Sequence, residues 1–146
     1  MAIGTFTYYA QFLNRLANKE IDLDTDEFIG VLLASTYTPN RTAHQDLTDI
    51  SAFELAGGDY ARETLVSVTK TLTSVSLKWS TATADFGNPV TLTAKYFAIF
   101  DNTHASKALV GYVDLNVGGP AVSSTTGPFS VAPDATLGWL TFRPPA

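Results

Sequence analysis

The chain contains no cysteine and only two histidines, His44 and His104, among its 146 residues. Without cysteine, neither a disulfide nor a thiolate-bound metal can stabilise the fold. A zinc site needs three or four convergent ligands, and no HxxxH or HExxH spacing brings the histidines together. The sequence therefore predicts no metal and no cofactor.

Charged residues are also scarce, at 16% against about 25% in an ordinary soluble domain. The formal net charge is −5, and the nine basic residues are scattered along the chain. Phosphate neutralisation requires clustered Lys and Arg, so direct binding of nucleic acid is not expected. No run approaches 18 apolar residues, and the N-terminus lacks a signal-like basic start. We expect a protein that is made in the cytoplasm and does not enter a membrane.

The residues that are abundant favour β structure, because 45% are hydrophobic and many of these are β-branched or aromatic. Turn signals separate about eight short extended runs. The length suits a single domain over 1–146. We predict a mainly β fold, an antiparallel β-sandwich or barrel-like domain with one N-terminal amphipathic helix.

That helix is predicted from about Thr5, as its cap, to Asn18, as its end. Apolar side chains recur at helical spacing, with polar residues such as Gln11 and Arg15 on the opposite face. The apolar face comprises Phe6, Tyr9, Ala10, Leu13, Leu16 and Ala17. It could cover one end of the β core or dock on another chain.

The most distinctive segment is a dense apolar run, Phe28 to Ala34, followed by Tyr-Thr-Pro-Asn. The run is typical of a strand buried on both faces. Pro39 removes a backbone donor and Asn40 tolerates left-handed geometry, so the chain must turn there. A return through His44 and Asp49 leads to a second extended run, Ser51 to Leu55. The predicted structural corner comprises Tyr37, Pro39, Asn40, His44 and Asp49, with His44 bonded to a backbone carbonyl, Asp46 or Asp49.

Later segments predict further strands. Strands are expected over 64–72 and 73–79, because the apolar Leu65, Val68, Val75, Leu77 and Trp79 alternate there with Thr and Ser residues that suit a face turned to water. A strand over 90–100 places alternate apolar residues on one side. Phe97 and Ile99 make its other side apolar too, so we expect the helix, a second sheet or a neighbouring subunit to cover them, and they are the candidate interface. Ala108 to Leu115 is another strand, 118–128 a long loop, and 129–131 with 137–142 a final hairpin.

Residues that could perform chemistry do not form a recognised motif. The acidic segment Asp22-x-Asp24-x-Asp26 begins like a calcium loop, but Glu27 stands where that loop needs Gly. A Ser-His-Asp set could be drawn from His44 and Asp49, yet no GxSxG elbow exposes a nucleophile. We expect no catalytic residues and no enzyme. Tyr8, Tyr37, Tyr60 and Trp79 could stack on a sugar or lie in the core.

Taken together, several short motifs resemble those of a family of small tailed-bacteriophage virion proteins, along nearly the whole chain. They are Phe12-Leu13-x-x-Leu16, Asp22-Leu23-Asp24-Thr25-Asp26, Val31-Leu32-Leu33, Tyr37-Thr38-Pro39-Asn40 with His44 and Asp49, Tyr60, Leu65, Ala94-x-Tyr96, Leu109-x-Gly111-Tyr112-x-Asp114 and Thr126 to Phe129. The most specific is the Tyr-Thr-Pro-Asn corner with its following histidine.

The resemblance implies a non-enzymatic building block of the virion. The expected role is capsid decoration, in which a homotrimer binds the major capsid protein on the capsid surface and stabilises the head. Two alternatives remain open: a tail or head–tail junction component, and a carbohydrate-binding module used in host attachment.

Overall fold

The computed structural model describes residues 2–144. The fold is 37% strand and 10% helix, with several antiparallel sheets and one short N-terminal helix, as the composition and turn spacing predict. Within the described residues the strands do not close into a barrel. The mainly β prediction is therefore confirmed.

The elements, in chain order, are short. They are β1 Thr7–Tyr8, α1 Ala10–Ala17, β2 Phe28–Leu33, α2 Leu47–Ile50, a 3-10 helix Ser51–Phe53, β3 Glu63–Thr64, β4 Thr69–Leu72, β5 Leu77–Ser80, β6 Ala84–Asp85, β7 Val90–Ala94, β8 Tyr96–Asp101, β9 Leu109–Asp114, β10 Val122–Gly127, β11 Ser130–Val131 and β12 Leu140–Phe142.

The largest sheet has five strands in the order β1-β9-β8-β2-β3. Strand β2 pairs antiparallel with β8 from Phe28 opposite Asp101 to Leu33 opposite Tyr96. Apolar clusters cover both faces of this sheet: one includes Phe28, and the other includes Val31 and Leu33. The prediction of a strand buried on both faces is confirmed.

Three smaller ladders complete the β structure, in the orders β12-β5-β4, β10-β7 and β11-β6. Parts of the two predicted runs 64–72 and 73–79 are strands, β4 and β5, and they pair with each other as a hairpin around Ser74. The predicted final hairpin does not, since β11 pairs with β6 and β12 with β5. The long loop over 118–128 is also wrong, because β10 pairs with β7 there. Its Ser and Thr residues suit a strand with one wet face.

The N-terminal helix is shorter than predicted and turned about its axis. Thr7 and Tyr8 pair with β9, so the chain is still extended there and Thr5 is not the cap. The helix buries Phe12 and Arg15, whereas Leu13 is 39% exposed. Pairing to β9 fixes the direction in which the chain enters the helix, and helical spacing alone does not contain that constraint. Asn18 does follow the last helical residue, as predicted.

The return after the corner is helical instead of extended. The 3-10 helix, which follows α2, occupies the start of the predicted extended run Ser51 to Leu55, whereas Glu54 is extended and forms an isolated bridge to Leu33. Asp49 Oδ2 accepts hydrogen bonds from the backbone N–H groups of Gln45 and Asp46, at 2.8 and 3.0 Å. These bonds satisfy donors that a helix start leaves free, which favours a helix at this point.

Phe97 and Ile99 lie in the core of the monomer, and both are 0% exposed. The predicted strand over 90–100 is divided at Lys95, where the chain leaves β7 and enters β8. Past this division the alternation is shifted, so Phe97 and Ile99 join the same apolar cluster as Leu92 and Ala94. The Phe97 ring stacks on Trp139, with ring centroids 5.0 Å apart. The chain's own second layer covers these residues, which corrects their interpretation as an interface.

Candidate functional site

The predicted corner is held by a chain of three buried or half-buried polar rings. The hydroxyls of Tyr9 and Tyr37 lie 2.8 Å apart, and the Tyr37 hydroxyl lies 2.9 Å from Nδ1 of His44. The backbone N–H of Asn40 also donates to Nδ1, at 3.3 Å. Nδ1 must then be the unprotonated ring nitrogen, so Tyr37 donates to His44 and accepts from Tyr9.

The other corner residues support this chain through local turns. The Asn40 side-chain oxygen accepts from the N–H groups of Thr42 and Ala43, at 3.2 and 3.0 Å. The backbone bonds to Asp49 hold the pKa of its carboxyl below the usual range. The structure thus brings the predicted residues together. The expected partners of His44 are wrong, because its ring bonds to Tyr37 and Asn40 instead of a carbonyl or aspartate.

The corner offers little to a ligand. Tyr37 is 1% exposed, and burial raises the pKa of its hydroxyl to about 12. Burial likewise raises the pKa of Tyr9 far above its usual value. A hydroxyl that is neutral and already bonded on both sides can brace a turn but is a poor nucleophile or base. The arrangement is suited to holding the chain between β2 and α2.

A second polar cluster, which sequence reasoning missed, joins four segments around Arg15. The Arg15 guanidinium donates to the Gln45 carbonyl and pairs with Asp46, both at 2.8 Å. The Ser106 hydroxyl donates to Asp46 at 2.8 Å and lies 3.0 Å from Nδ1 of His104. His104 Nε2 lies 3.5 Å from a carboxylate oxygen of Glu20. Helical spacing places Arg15 on the polar face of the predicted helix, so the sequence carried no signal for this cluster.

The Ser106-His104-Glu20 set has the composition of a catalytic triad but a different bonding pattern. The backbone N–H of Ser106 donates to His104 Nδ1 at 3.2 Å, so that nitrogen is engaged within its own turn. The Ser106 hydroxyl donates its hydrogen bond to the Asp46 carboxylate. Its proton is therefore not directed at His104, as it would be in a serine activated by a general base. The set closes a loop against the helix.

The acidic segment between α1 and β2 forms turns. Asp22 Oδ1 accepts from the backbone N–H of Asp24 at 2.8 Å and of Thr25 at 3.3 Å. These bonds lower the pKa of Asp22. Asp26 Oδ2 in turn accepts from the N–H of Asp22 at 2.8 Å. Within residues 2–144 no three His, Cys, Asp or Glu side chains are grouped so that they could hold a metal ion.

Of the aromatic residues considered for stacking on a sugar, two are inside the protein. Trp79 is 0% exposed, and its indole N–H donates to the Leu23 carbonyl at 2.9 Å. Tyr37 is buried in the corner, whereas Tyr8 and Tyr60 are half-buried. Their rings do not form one exposed platform.

The hairpin made by β4 and β5 carries the two most exposed of the large apolar side chains in the described residues. All four β4 residues are exposed. Leu72 is 79% exposed and Val75, in the turn, is 67% exposed. Val75 was predicted to face inward with Leu77 and Trp79, which is wrong because the turn over 73–76 interrupts the alternation. We call Leu72 and Val75 the hairpin tip.

A groove of about 720 Å³ lies on another part of the surface. Segments from β1, β10, β11 and β12 border it, and each of these strands pairs with one other strand. Trp139 and Phe129 contribute to its lining, and its charged lining side chains are Asp134 and Arg143. The groove is an apolar cleft bordered by open strand edges.

Comparisons with protein-family models, with curated proteins and with solved structures found no match to this chain. Within the described part of the chain, no helix has the length and hydropathy needed to cross a membrane. The candidate site therefore rests on geometry alone, and we take the hairpin tip as the candidate binding surface, because Leu72 and Val75 are the most exposed of the large apolar side chains in the described residues.

Proposed function

We propose that this protein is a capsid decoration protein of a tailed bacteriophage, which binds the outer surface of the major capsid lattice and stabilises the head. The observation that carries the proposal is the hairpin tip, where Leu72 at the end of β4 and Val75 in the turn expose large apolar side chains. Burying such side chains in a partner removes apolar area from water at about 25 cal/mol per Å². The monomer gains nothing from leaving them in solvent.

The surface chemistry supports a protein partner. Charged residues are few, and the neighbours of the hairpin tip are small hydroxyl residues, Thr73, Ser74 and Ser76. Interfaces between proteins are depleted in charge at their centres and keep a polar rim. The tip matches this description, because its uncharged apolar side chains are flanked by the polar Thr and Ser residues.

The assembled partner would be the major capsid protein, and the protein would bind it as a homotrimer at the capsid surface. Three copies present three hairpin tips, so weak individual contacts add through multivalency. A tail or head–tail junction component remains the alternative, since the same tip could pack against a ring of other virion proteins.

Copy number in purified virions tests the proposal. Shell decoration predicts hundreds of copies per particle, whereas a single closed ring at the junction would contain only about a dozen. A subunit that binds only the assembled shell stabilises it by RT ln(1 + [L]/Kd) per site. Heads that lack the protein should therefore release DNA at a lower temperature. Equal release temperatures together with few copies per virion would contradict decoration.

A further inference from the structure

The carboxyl group of Asp101 is buried at the end of β8 with only one of its two oxygens satisfied. Asp101 is 0% exposed. Its Oδ1 accepts from the backbone N–H groups of Thr103 at 2.8 Å and His104 at 3.2 Å. Its Oδ2 is also buried and receives no hydrogen bond from any described N–H or hydroxyl group. A buried carboxylate oxygen left in this state is costly, so a proton or a donor is expected there.

A second carboxyl, that of Asp26, lies beside Asp101 where β2 begins. Asp101 lies opposite Phe28 in the β2–β8 ladder, and the ladder continues with the Asn102 N–H donating to the Glu27 carbonyl at 2.8 Å. Asp26 lies two residues before Phe28, in the bend that precedes β2, and its carboxyl is hydrogen-bonded to the Asp101 side chain. One Asp26 oxygen is held by the Asp22 N–H. The other is free to face Asp101.

We propose that Asp101 and Asp26 share one proton and that this carboxyl pair acts as a pH-sensitive clamp between two loops. The proton lies on Asp101 Oδ2 and is donated to the Asp26 carboxylate. It fastens the acidic segment before β2 to the turn after β8. When the proton is lost, two carboxylates face each other across the same contact and repel.

Surrounding charges do not neutralise the pair. Among residues 2–144, neither Asp26 nor Asp101 forms an ion pair. Nearby charged groups are engaged elsewhere: the Glu27 carboxylate accepts from the Asn102 amide, Lys107 donates to the Asn102 carbonyl, and His104 faces Glu20. Asp22 adds a further carboxylate, with its oxygen turned to its own loop. Burial first, and then the hydrogen bond and charge of Asp26, raise the pKa of Asp101 to about 7.

The direction of the pH effect follows from linkage. The pKa of Asp101 is higher in the folded protein than its usual value of about 3.9 in an unfolded chain. The folded state therefore binds more protons than the unfolded state between these two values. The contribution of the clamp is complete below the lower value and is lost as pH rises through about 7.

The direct test is a carbon-13 NMR titration of the side-chain carboxyls in the full chain. The pair should titrate with an apparent midpoint near 7. Midpoints below about 5 for both residues, close to ordinary carboxyls, would overturn the proposal. This measurement needs no variant and therefore does not depend on a mutant that folds.

Substitution provides the second test. In Asp101→Asn the amide oxygen still accepts from the turn, and the amide NH2 donates permanently to Asp26. The melting temperature of this variant should no longer fall between about pH 5 and about pH 8, unlike that of the wild type. In Asp26→Asn the new amide can donate to Asp101, so the Asp101 midpoint should move to lower pH.

Asp134→Asn is the matched control, because Asp134 also accepts from the N–H groups two and three residues ahead but lies exposed. It should keep the wild-type slope over the same range. An unchanged slope in Asp101→Asn would contradict the clamp. A rise in melting temperature with calcium at about pH 5, abolished by Asp101→Asn, would show that both carboxyls are already ionised there and hold a cation, which would overturn proton sharing.

Discussion

The corner around Tyr37 and the hairpin tip differ in almost every physical respect. The corner buries its aromatic rings and joins Tyr9, Tyr37 and His44 in a continuous hydrogen-bond chain. The tip leaves Leu72 and Val75 in solvent. The corner is the more distinctive segment in the sequence, yet its polar groups are already hydrogen-bonded within the monomer. The tip has no distinctive sequence motif, but its apolar side chains are exposed to solvent.

This contrast suggests a division of labour between stability and binding. Substitutions in the core and corner should destabilise the monomer, and substitutions at the tip should leave it folded while weakening its attachment to a partner. The following predictions run from the largest expected loss of stability to the smallest.

The core between the sheets should be the most sensitive region. Phe97→Asp places a charge where the wild-type ring stacks on Trp139 and is 0% exposed. Burying an unpaired charge costs on the order of 5 kcal/mol or more, which is comparable to the whole stability of a domain. The variant should be unfolded by circular dichroism at 25 °C.

Thr71→Asp is its control, since Thr71 is an exposed residue of β4. This change should alter the free energy of unfolding by about 0.5 kcal/mol or less. A folded, monomeric Phe97→Asp protein would show that the packing around Phe97 is misassigned.

The corner should come next. Tyr37→Ala removes a buried ring and should lower the free energy of unfolding by about 3 kcal/mol in denaturant titrations. Tyr37→Phe keeps the ring but leaves the Tyr9 hydroxyl without its acceptor and removes one of the two donors to His44 Nδ1, which should cost about 1 to 2 kcal/mol. Tyr8→Phe, on a half-buried tyrosine, should cost less than either. A loss below about 1 kcal/mol for Tyr37→Ala would mean that the corner does not brace the fold.

Asp49 should make a smaller contribution that depends on pH. Its pKa is lowered by the backbone N–H groups of Gln45 and Asp46, so its contribution is present at neutral pH and is lost as pH falls through the folded-state pKa. Asp49→Ala should cost about 1 kcal/mol at neutral pH and progressively less in acid. Thermal melts of variant and wild type from about pH 7 to about pH 2 check this, and a constant difference would contradict it.

These differences also show what the sequence could and could not predict. The β2 strand, the Tyr37 corner and the hairpin around Ser74 depend on local signals, namely apolar density, Pro39 and turn residues. The shifted alternation at Lys95 could not be predicted, because it arises where the chain passes between two ladders. The buried face of α1 could not be predicted either. It is set by the pairing of Thr7 and Tyr8 with β9, which turns the helix about its axis.

The candidate site was harder to predict than the fold. A turn residue such as Val75 continues an apolar alternation in the sequence, and only the pairing of β4 with β5 reveals that it faces solvent. Asp101 had a signal, a single carboxylate at the end of the apolar strand segment Phe97 to Phe100. Its proposed partner, Asp26, lies far from it in the sequence and could not be identified from local signals.

The hairpin tip should have the smallest effect on stability. Leu72→Asp and Val75→Asp change exposed side chains, so each should alter the free energy of unfolding by about 0.5 kcal/mol or less. Val117→Asp, at a side chain that is 56% exposed outside the hairpin, is the matched control and should behave alike. A large destabilisation at the tip would indicate that its side chains already have a partner within the monomer.

The most direct measurement adds purified protein to phage heads that lack it and records binding by sedimentation. The wild type and Val117→Asp should bind the heads and raise the temperature at which DNA is released. Leu72→Asp and Val75→Asp, although folded, should fail to do so. Equal binding by all four proteins would show that the hairpin tip is not the contact, and failure of the wild type to bind heads at all would contradict the decoration role.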